Sequence, residues 1–217
     1  LDEGWTKYGP PPGFPELREA IAAYVSRTRG IEAGADQVCV VPGGKPIMYF
    51  SMMALLEAGD EVIYPNPSFP IYESMINFVD AKPVPMPLKE ENDFAIDNDD
   101  TAEMITKKTK LIILNSPENP TGGVLTKDNL EVIVDRIKGR DDVLVLTDEV
   151  YSQIIYEGKH QSISSLPGMK DKTILLDGFS KTYAMTGWRL GYAAMRKDLA
   201  QKVAQLMINS NSCTCAF

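Results

Sequence analysis

Residues 110–147 have the sequence KLIILNSPENPTGGVLTKDNLEVIVDRIKGRDDVLVLT, and this stretch decides the fold class. It begins and ends with short apolar runs, at 110–115 and 143–147, which are typical of strands buried on both faces. Between these runs, Thr126 stands before a segment with apolar residues at helical spacing, as the N-cap of an α-helix does. A buried strand, a helix and a second buried strand in this order predict a parallel βαβ unit.

The same alternation extends outward over most of the chain. Apolar runs typical of strands lie at 38–41, 61–64 and 173–176, a proline-rich edge segment lies at 83–88, and helical patterns cover 15–29, 45–57, 70–79, 99–107 and 197–209. These patterns predict an α/β protein with three α/β/α layers around a central, mostly parallel sheet. We expect residues 1–30 to form an N-terminal appendage helix that belongs to the same large domain as residues 31–217.

The composition is that of an acidic, folded protein. Of 217 residues, 44% are hydrophobic and 24% charged, and 22 Lys and Arg stand against 30 Asp and Glu. Because no basic cluster is present, we expect no nucleic-acid partner. No apolar run is long enough for a membrane span, so we expect no membrane partner and a cytoplasmic location. Three cysteines and a single histidine, His160, argue against a disulfide framework and predict no metal site.

Polar and aromatic residues follow the predicted strands at the points where the strands end. They lie in the segments PGGK (42–45), YPNPSF (64–69), NSPENPTG (115–122), TDEVY (147–151) and GFSK (178–181). Because ligands bind outside the carboxyl ends of strands in open α/β sheets, we expect a binding site at this edge.

Five motifs in a fixed order give the chain a family resemblance. They are KYGPPPGFPELREAI (7–21), PGGK (42–45), NPTGG (119–123), TDEVY (147–151) and FSKTYAMTGWRLGY (179–192). With them the chain resembles the large domain of the class I and II pyridoxal-phosphate aminotransferases of fold type I. The resemblance implies pyridoxal 5'-phosphate (PLP) as cofactor and transfer of an amino group from an amino acid to a 2-oxo acid. Residues 31–217 would be the PLP-binding large domain.

The resemblance implies three catalytic residues, Lys181, Asp148 and Tyr151. Lys181 would bind PLP as a Schiff base, and we expect its amine to be desolvated, because desolvation favours the neutral nucleophile. Asp148 would pair with the pyridine nitrogen, and Tyr151 and Asn119 would donate hydrogen bonds to the phenolic oxygen of PLP. From the residues alone, Lys181 could be a surface charge, Asp148 a helix N-cap, Tyr151 a core residue and Asn119 a turn residue.

Further residues match the family positions that hold the rest of PLP. Phe69 would stack on the pyridine ring, although it could equally be a core residue. Gly43, Gly44 and Lys45 would bind the phosphate at a helix N-terminus, although a lone G-G-K can also be a tight turn. Arg189 would clamp the phosphate through two hydrogen bonds.

One departure from the family pattern concerns the phosphate. Gly178 occupies a position where many relatives carry a phosphate-binding serine, and Ser180 would partly substitute for it. Tyr8 would reach the phosphate of the neighbouring subunit, which predicts a two-fold symmetric homodimer with shared active sites. Alternatively, Tyr8 is an exposed loop residue.

Other functions remain open at this stage. A PLP-binding regulatory module, or a lyase or synthase of the same fold, would keep the same cofactor residues. The chain begins at Leu1 and stops at Phe217 within an apolar stretch, as expected of a fragment that lacks the small C-terminal domain. Because relatives bind the substrate α-carboxylate through that domain, we expect the fragment itself to be weakly active or inactive.

Overall fold

A mixed sheet lies at the centre of the computed structural model, which describes residue 2 and residues 4–217. Its strands are β1 (Val38–Val41), β2 (Glu61–Asn66), β3 (Lys82–Pro87), β4 (Thr109–Asn115), β5 (Leu144–Asp148), β6 (Thr173–Gly178) and β7 (Gly191–Ala194). They follow the order β1-β7-β6-β5-β4-β2-β3. Neighbouring strands are parallel except for β7, which pairs antiparallel with β1 and β6. The predicted mostly parallel sheet is therefore confirmed.

Helices cover both faces of this sheet. They are α1 (Pro15–Arg29), α2 (Lys45–Leu55), α3 (Ile71–Phe78), α4 (Asn98–Met104), α5 (Lys127–Ile137) and α6 (Lys197–Ile208). On β4, Leu111 and Ile113 pack in one core with α2, α3 and α6, whereas Ile112 and Leu114 pack in a second core with α5. Alternate residues of one buried strand thus contribute to both layers, as the three-layer prediction requires.

Local sequence explains where these helices begin and end. Pro15 occupies the first position of α1, and Gly30 follows its last residue with a φ of 66°, donating its N–H to the Ser26 carbonyl at 3.0 Å. The Thr126 hydroxyl caps α5 by accepting from the Asn129 N–H, and the Asn129 side chain accepts from the Thr126 N–H in return. Both helices were predicted, α1 from Pro15 and Gly30 and α5 from Thr126.

Strand β7 was not predicted. Its sequence, GYAA, contains no β-branched residue, so the usual strand signal is missing. Its position depends on close backbone packing instead, because a Cβ on Gly191 would lie 2.7 Å from the Gly44 nitrogen. Other elements differ from the prediction only in where they end. Helix α2 ends before the predicted residue 57, and strands β2 and β6 continue beyond the predicted residues 64 and 176. Among the described residues, no helix is long and apolar enough to cross a membrane.

Candidate active site

A cleft of about 160 Å³ lies at the end of the sheet where polar residues follow the strands. Eight of the predicted site residues line it: Gly44, Lys45, Phe69, Asn119, Asp148, Tyr151, Ser180 and Lys181. Gly43 and Arg189 contact each other next to Gly44. Tyr8 does not line the cleft in the described part of the chain, and its side chain is 89% exposed. The structure therefore brings together all the predicted residues except the one assigned to a second subunit.

Asp148 is the last residue of β5, and its carboxylate is buried. Its Oδ2 accepts a hydrogen bond from the Tyr72 hydroxyl at 2.9 Å, and its Oδ1 accepts one from the Val150 N–H at 3.4 Å. Burial raises the pKa of Asp148 to about 6, although both hydrogen bonds act in the opposite direction. A turn follows rather than a helix, so Asp148 is not a helix N-cap. A bound cation would stabilise this buried charge.

Asn115 connects the two loops that carry Asn119 and Tyr151. Its side-chain oxygen accepts from the Asn119 N–H at 2.9 Å, and its Nδ2 donates to the Asp148 carbonyl at 2.9 Å. Beyond this link, Asn119 Nδ2 lies 3.5 Å from the Tyr151 hydroxyl. The two side chains predicted to bind one oxygen of a ligand are thus neighbours. Tyr72 was not predicted, and Asn115 was predicted only as the first residue of the segment 115–122, without a role of its own.

Lys181 follows β6 and lies on the same cleft. Its Nζ is 5.4 Å from the centroid of the Tyr151 ring, and its positive charge lowers the pKa of Asp148. The residue is exposed to solvent, so the expected desolvation of this amine is not observed in the described chain. The structure does place the amine beside the Tyr151 ring, close enough for its charge to act on Asp148.

The loop before α2 forms a cradle that only glycine permits. Gly43 has a φ of 82°, and a Cβ there would collide with the Arg189 guanidinium. Gly44 is the N-cap of α2, where backbone N–H groups have no helical partner and the helix dipole is positive. Glycine backbone, a helix N-terminus and a guanidinium thus meet at one point. This donor set fits a phosphate dianion.

Phe69 also lines the cleft, together with Lys45, which follows Gly44 in the chain. The Phe69 ring packs edge-on against Tyr72, with centroids 6.1 Å apart, and Lys45 Nζ lies 5.3 Å from the Phe69 centroid. Phe69 is therefore both packed against the core and available at the cleft. The chemistry of these residues, of the cradle and of Asp148 fits a flat ring that carries a phosphate and a cationic nitrogen.

A buried carboxyl group that the sequence did not indicate lies next to Asn119. Glu118 is buried, and its Oε1 has no hydrogen-bond partner among the described residues. Burial, together with the negative charge of Asp148, raises the pKa of Glu118 to about 9. The folded chain therefore holds this carboxyl protonated at neutral pH.

Replacing Glu118 with glutamine is expected to stabilise the cofactor-free protein at neutral pH. The folded state retains a proton on Glu118 that the unfolded state releases above its usual pKa, so this carboxyl destabilises the fold increasingly from about pH 4.5 to 9. We expect Glu118→Gln to raise the free energy of unfolding by roughly 1–3 kcal/mol at pH 7.5 and by much less at pH 4.5. Urea unfolding at both pH values measures this, with exposed Glu19→Gln as control. An equal gain at both pH values would contradict the protonated state.

Comparisons with known proteins identify the family of this chain. A family model described as "Aminotransferase class I and II" matches residues 1–217. An aspartate aminotransferase of Pyrococcus abyssi is 42% identical over an alignment of 219 residues, which covers 100% of this chain and 56% of that protein. An aromatic-amino-acid aminotransferase of Thermococcus litoralis is 39% identical with the same coverage. The chain spans about half the length of the curated relatives it matches.

Solved structures show the same fold. The aromatic aminotransferase from Pyrococcus horikoshii superposes with a TM-score of 0.95 at 41% identity, covering 100% of this chain and 58% of that one. The aspartate aminotransferase of Thermus thermophilus, solved with maleate, gives a TM-score of 0.94 at 35% identity, covering 100% and 56%.

Proposed function

The chain belongs to the class I and II aminotransferases, and from this premise we propose that it is the PLP-binding part of an enzyme that transfers amino groups from amino acids to 2-oxo acids. The observation that carries the proposal is the meeting of Lys181, Asp148 and Tyr151 in one cleft beside the glycine cradle. An amine, a buried carboxylate and an anion site are the three groups that such a cofactor requires.

The proposal assigns each part of PLP to residues of this chain. Backbone N–H groups of Gly43, Gly44 and Lys45, with Ser180 and Arg189, would hold the phosphate. Phe69 would lie against the ring, and Asn119 and Tyr151 would hydrogen-bond its phenolic oxygen. Lys181 would bind the aldehyde carbon.

When bound, PLP supplies an electron sink that stabilises negative charge at the substrate Cα. The Asp148 carboxylate is ionised above a pKa of about 6, so at neutral pH it would hold a proton on the ring nitrogen. Tyr72 and Val150 keep that carboxylate oriented towards the cleft. The Lys181 amine would take up the proton from the substrate Cα and release it again, acting first as general base and then as general acid.

The substrates follow from the relatives, which are named as aspartate and aromatic-amino-acid aminotransferases. We therefore propose aspartate or an aromatic amino acid as amino donor and a 2-oxo acid as acceptor. Incubation with a panel of amino acids and 2-oxoglutarate tests this, with the new keto acid and glutamate measured together. Equal amounts of both support transamination. Ammonia, or a cleaved carbon skeleton, would favour a lyase or synthase. Cofactor binding without turnover, in a protein of the relatives' full length, would favour a regulatory module.

We also propose a homodimer in which Tyr8 reaches the partner's phosphate site, supported by the 89% exposure of its side chain. That residues 1–30 belong with residues 31–217 is supported by the packing of Ile21 and Val25 of α1 against Val40 of β1 and Leu175 of β6. A cytoplasmic location is part of the same proposal and is supported by the low cysteine content.

Arg189→Lys is expected to weaken cofactor binding. Lysine keeps the charge but loses the planar fork that binds two phosphate oxygens, so we expect the PLP dissociation constant to rise about 10–100-fold. Spectroscopic titration of the cofactor-free protein measures the constant, and Arg136→Lys on the exposed face of α5 is the matched control. A change of less than twofold in the PLP dissociation constant would show that Arg189 does not bind the phosphate.

A further inference from the structure

One buried guanidinium binds residues at the ends of both β5 and β6. Asp148 is the last residue of β5, and Lys181 follows β6. Arg29 is the last residue of α1 and is almost fully buried. Its Nε donates to Glu149 Oε2 at 2.6 Å, and its Nη2 donates to Ser152 Oγ at 2.8 Å and to Asp177 Oδ2 at 2.9 Å. Glu149 directly follows β5, and Asp177 lies near the end of β6.

The carboxylate of Glu149 is completely enclosed by donors. Its Oε1 accepts from the Ser162 hydroxyl at 2.6 Å and the Thr147 hydroxyl at 3.1 Å. Its Oε2 lies 2.8 Å from His160 Nε2, besides the bond from Arg29. Burial alone raises the pKa of Glu149, but His160 and Arg29 outweigh it, so the pKa lies below its usual range. Four side chains contact the two oxygens of this carboxylate, and these contacts hold the Glu149 side chain in place.

Backbone hydrogen bonds connect Glu149 and Asp177 to the segments that carry the candidate catalytic residues. The Glu149 N–H donates to the Leu176 carbonyl at 2.8 Å, and the Ser152 N–H donates to the Glu149 carbonyl at 2.9 Å. Asp177 Oδ1 accepts from the Gly178 N–H at 2.7 Å. Glu149 and Ser152 thus bind Arg29, while Asp148 and Tyr151 of the same turn line the cleft.

We propose that Arg29 is a positioning residue for the proposed reaction. By binding Glu149, Ser152 and Asp177 together, it fixes the end of β5, with Asp148 and Tyr151, relative to the end of β6, with Lys181. The inference rests on the proposed function. A buried ion cluster is poor evidence for stability as such, because apolar residues of the same size often stabilise a fold equally well, whereas a saturated polar network does fix geometry.

The test compares Arg29→Lys, which keeps the charge but cannot bind three groups in one plane, with Arg27→Met, an exposed arginine of the same helix turn. In the PLP-loaded protein we expect Arg29→Lys to lower kcat about 10–100-fold, to change KM less than threefold, and to shift the pH midpoint of the cofactor's visible absorption by at least about half a unit. Arg27→Met should change none of these. Ser152→Ala, which removes one bond without exposing a buried charge, should give a smaller shift in the same direction.

Amide hydrogen exchange of the cofactor-free protein provides the readout that does not depend on PLP. Arg29→Lys is expected to accelerate exchange at residues 148–152 and 177–181 at least about tenfold, and to leave β4 unchanged. Unchanged exchange in those segments, or an unchanged absorption midpoint in both Arg29→Lys and Ser152→Ala, would overturn the proposal. If the unaltered protein binds no PLP at Lys181, the proposed function fails, and the exchange result alone decides whether Arg29 orders the two strand ends.

Discussion

Lys181→Ala is expected to remove both covalent cofactor binding and amino transfer. Alanine offers no amine to bind the aldehyde and none to move the proton at the substrate Cα, so two contributions are lost at once. We expect kcat to fall by at least about 10⁴-fold, with the fold intact because the side chain is exposed. Steady-state turnover, measured in a protein of the relatives' full length, and the visible spectrum of this chain measure the two losses separately.

Two further variants make this result specific to position 181. Lys181→Arg retains the positive charge near Asp148 and Tyr151 but cannot bind the aldehyde, so it should be as inactive as alanine. Lys202→Ala, at an exposed position on α6, should behave like the unaltered protein. Turnover within tenfold of normal in Lys181→Ala would exclude the amine as the catalytic group.

Asp148→Asn is expected to change activity and stability in opposite directions. Asparagine keeps the size of the side chain and can still accept from Tyr72, but it carries no charge to hold a proton on the ring nitrogen. We expect kcat to fall about 10²–10⁴-fold. Asp148→Glu keeps the charge and should retain more activity than Asp148→Asn.

The stability of the cofactor-free protein should rise in the same variant. Because burial raises the pKa of Asp148 to about 6, the folded state binds a proton more tightly than the unfolded state, and this residue lowers stability as pH increases from about 4 to 6. Removing the charge should raise the free energy of unfolding by about 1–3 kcal/mol at pH 7.5. Urea unfolding of the cofactor-free protein measures this gain in stability, and steady-state turnover measures the loss of activity. If the variant were less stable than the unaltered protein without cofactor, burial of the Asp148 charge would not be what destabilises the fold.

The fold could be predicted where its signals are local. Strands β4 and β5 are continuous apolar runs, and Thr126 and Asn129 mark the start of α5 within four residues. Strand β7 has no such signal, because Gly191 is required by the approach of Gly44 from a distant loop. Sequence therefore predicts elements that fold for local reasons and misses the one positioned by tertiary packing.

The site shows the same division. Asp148, Asn119 and Lys181 follow strand ends, so topology and family resemblance together predict their convergence. Tyr72 and Arg29 act through partners 76 and 120 residues away, and no spacing rule connects such pairs. The solvent exposure of Lys181 was also beyond prediction, because it depends on which groups surround the cleft.

Every role proposed for the cleft depends on a covalent imine between Lys181 and PLP. Borohydride reduction of the PLP-loaded protein, followed by digestion and mass spectrometry of the peptides, tests it most directly. We expect one modified peptide, which contains Lys181 and gains the mass of a reduced phosphopyridoxyl group, and no such peptide from Lys181→Ala. A modification on another lysine, or the same labelling in the alanine variant, would contradict it.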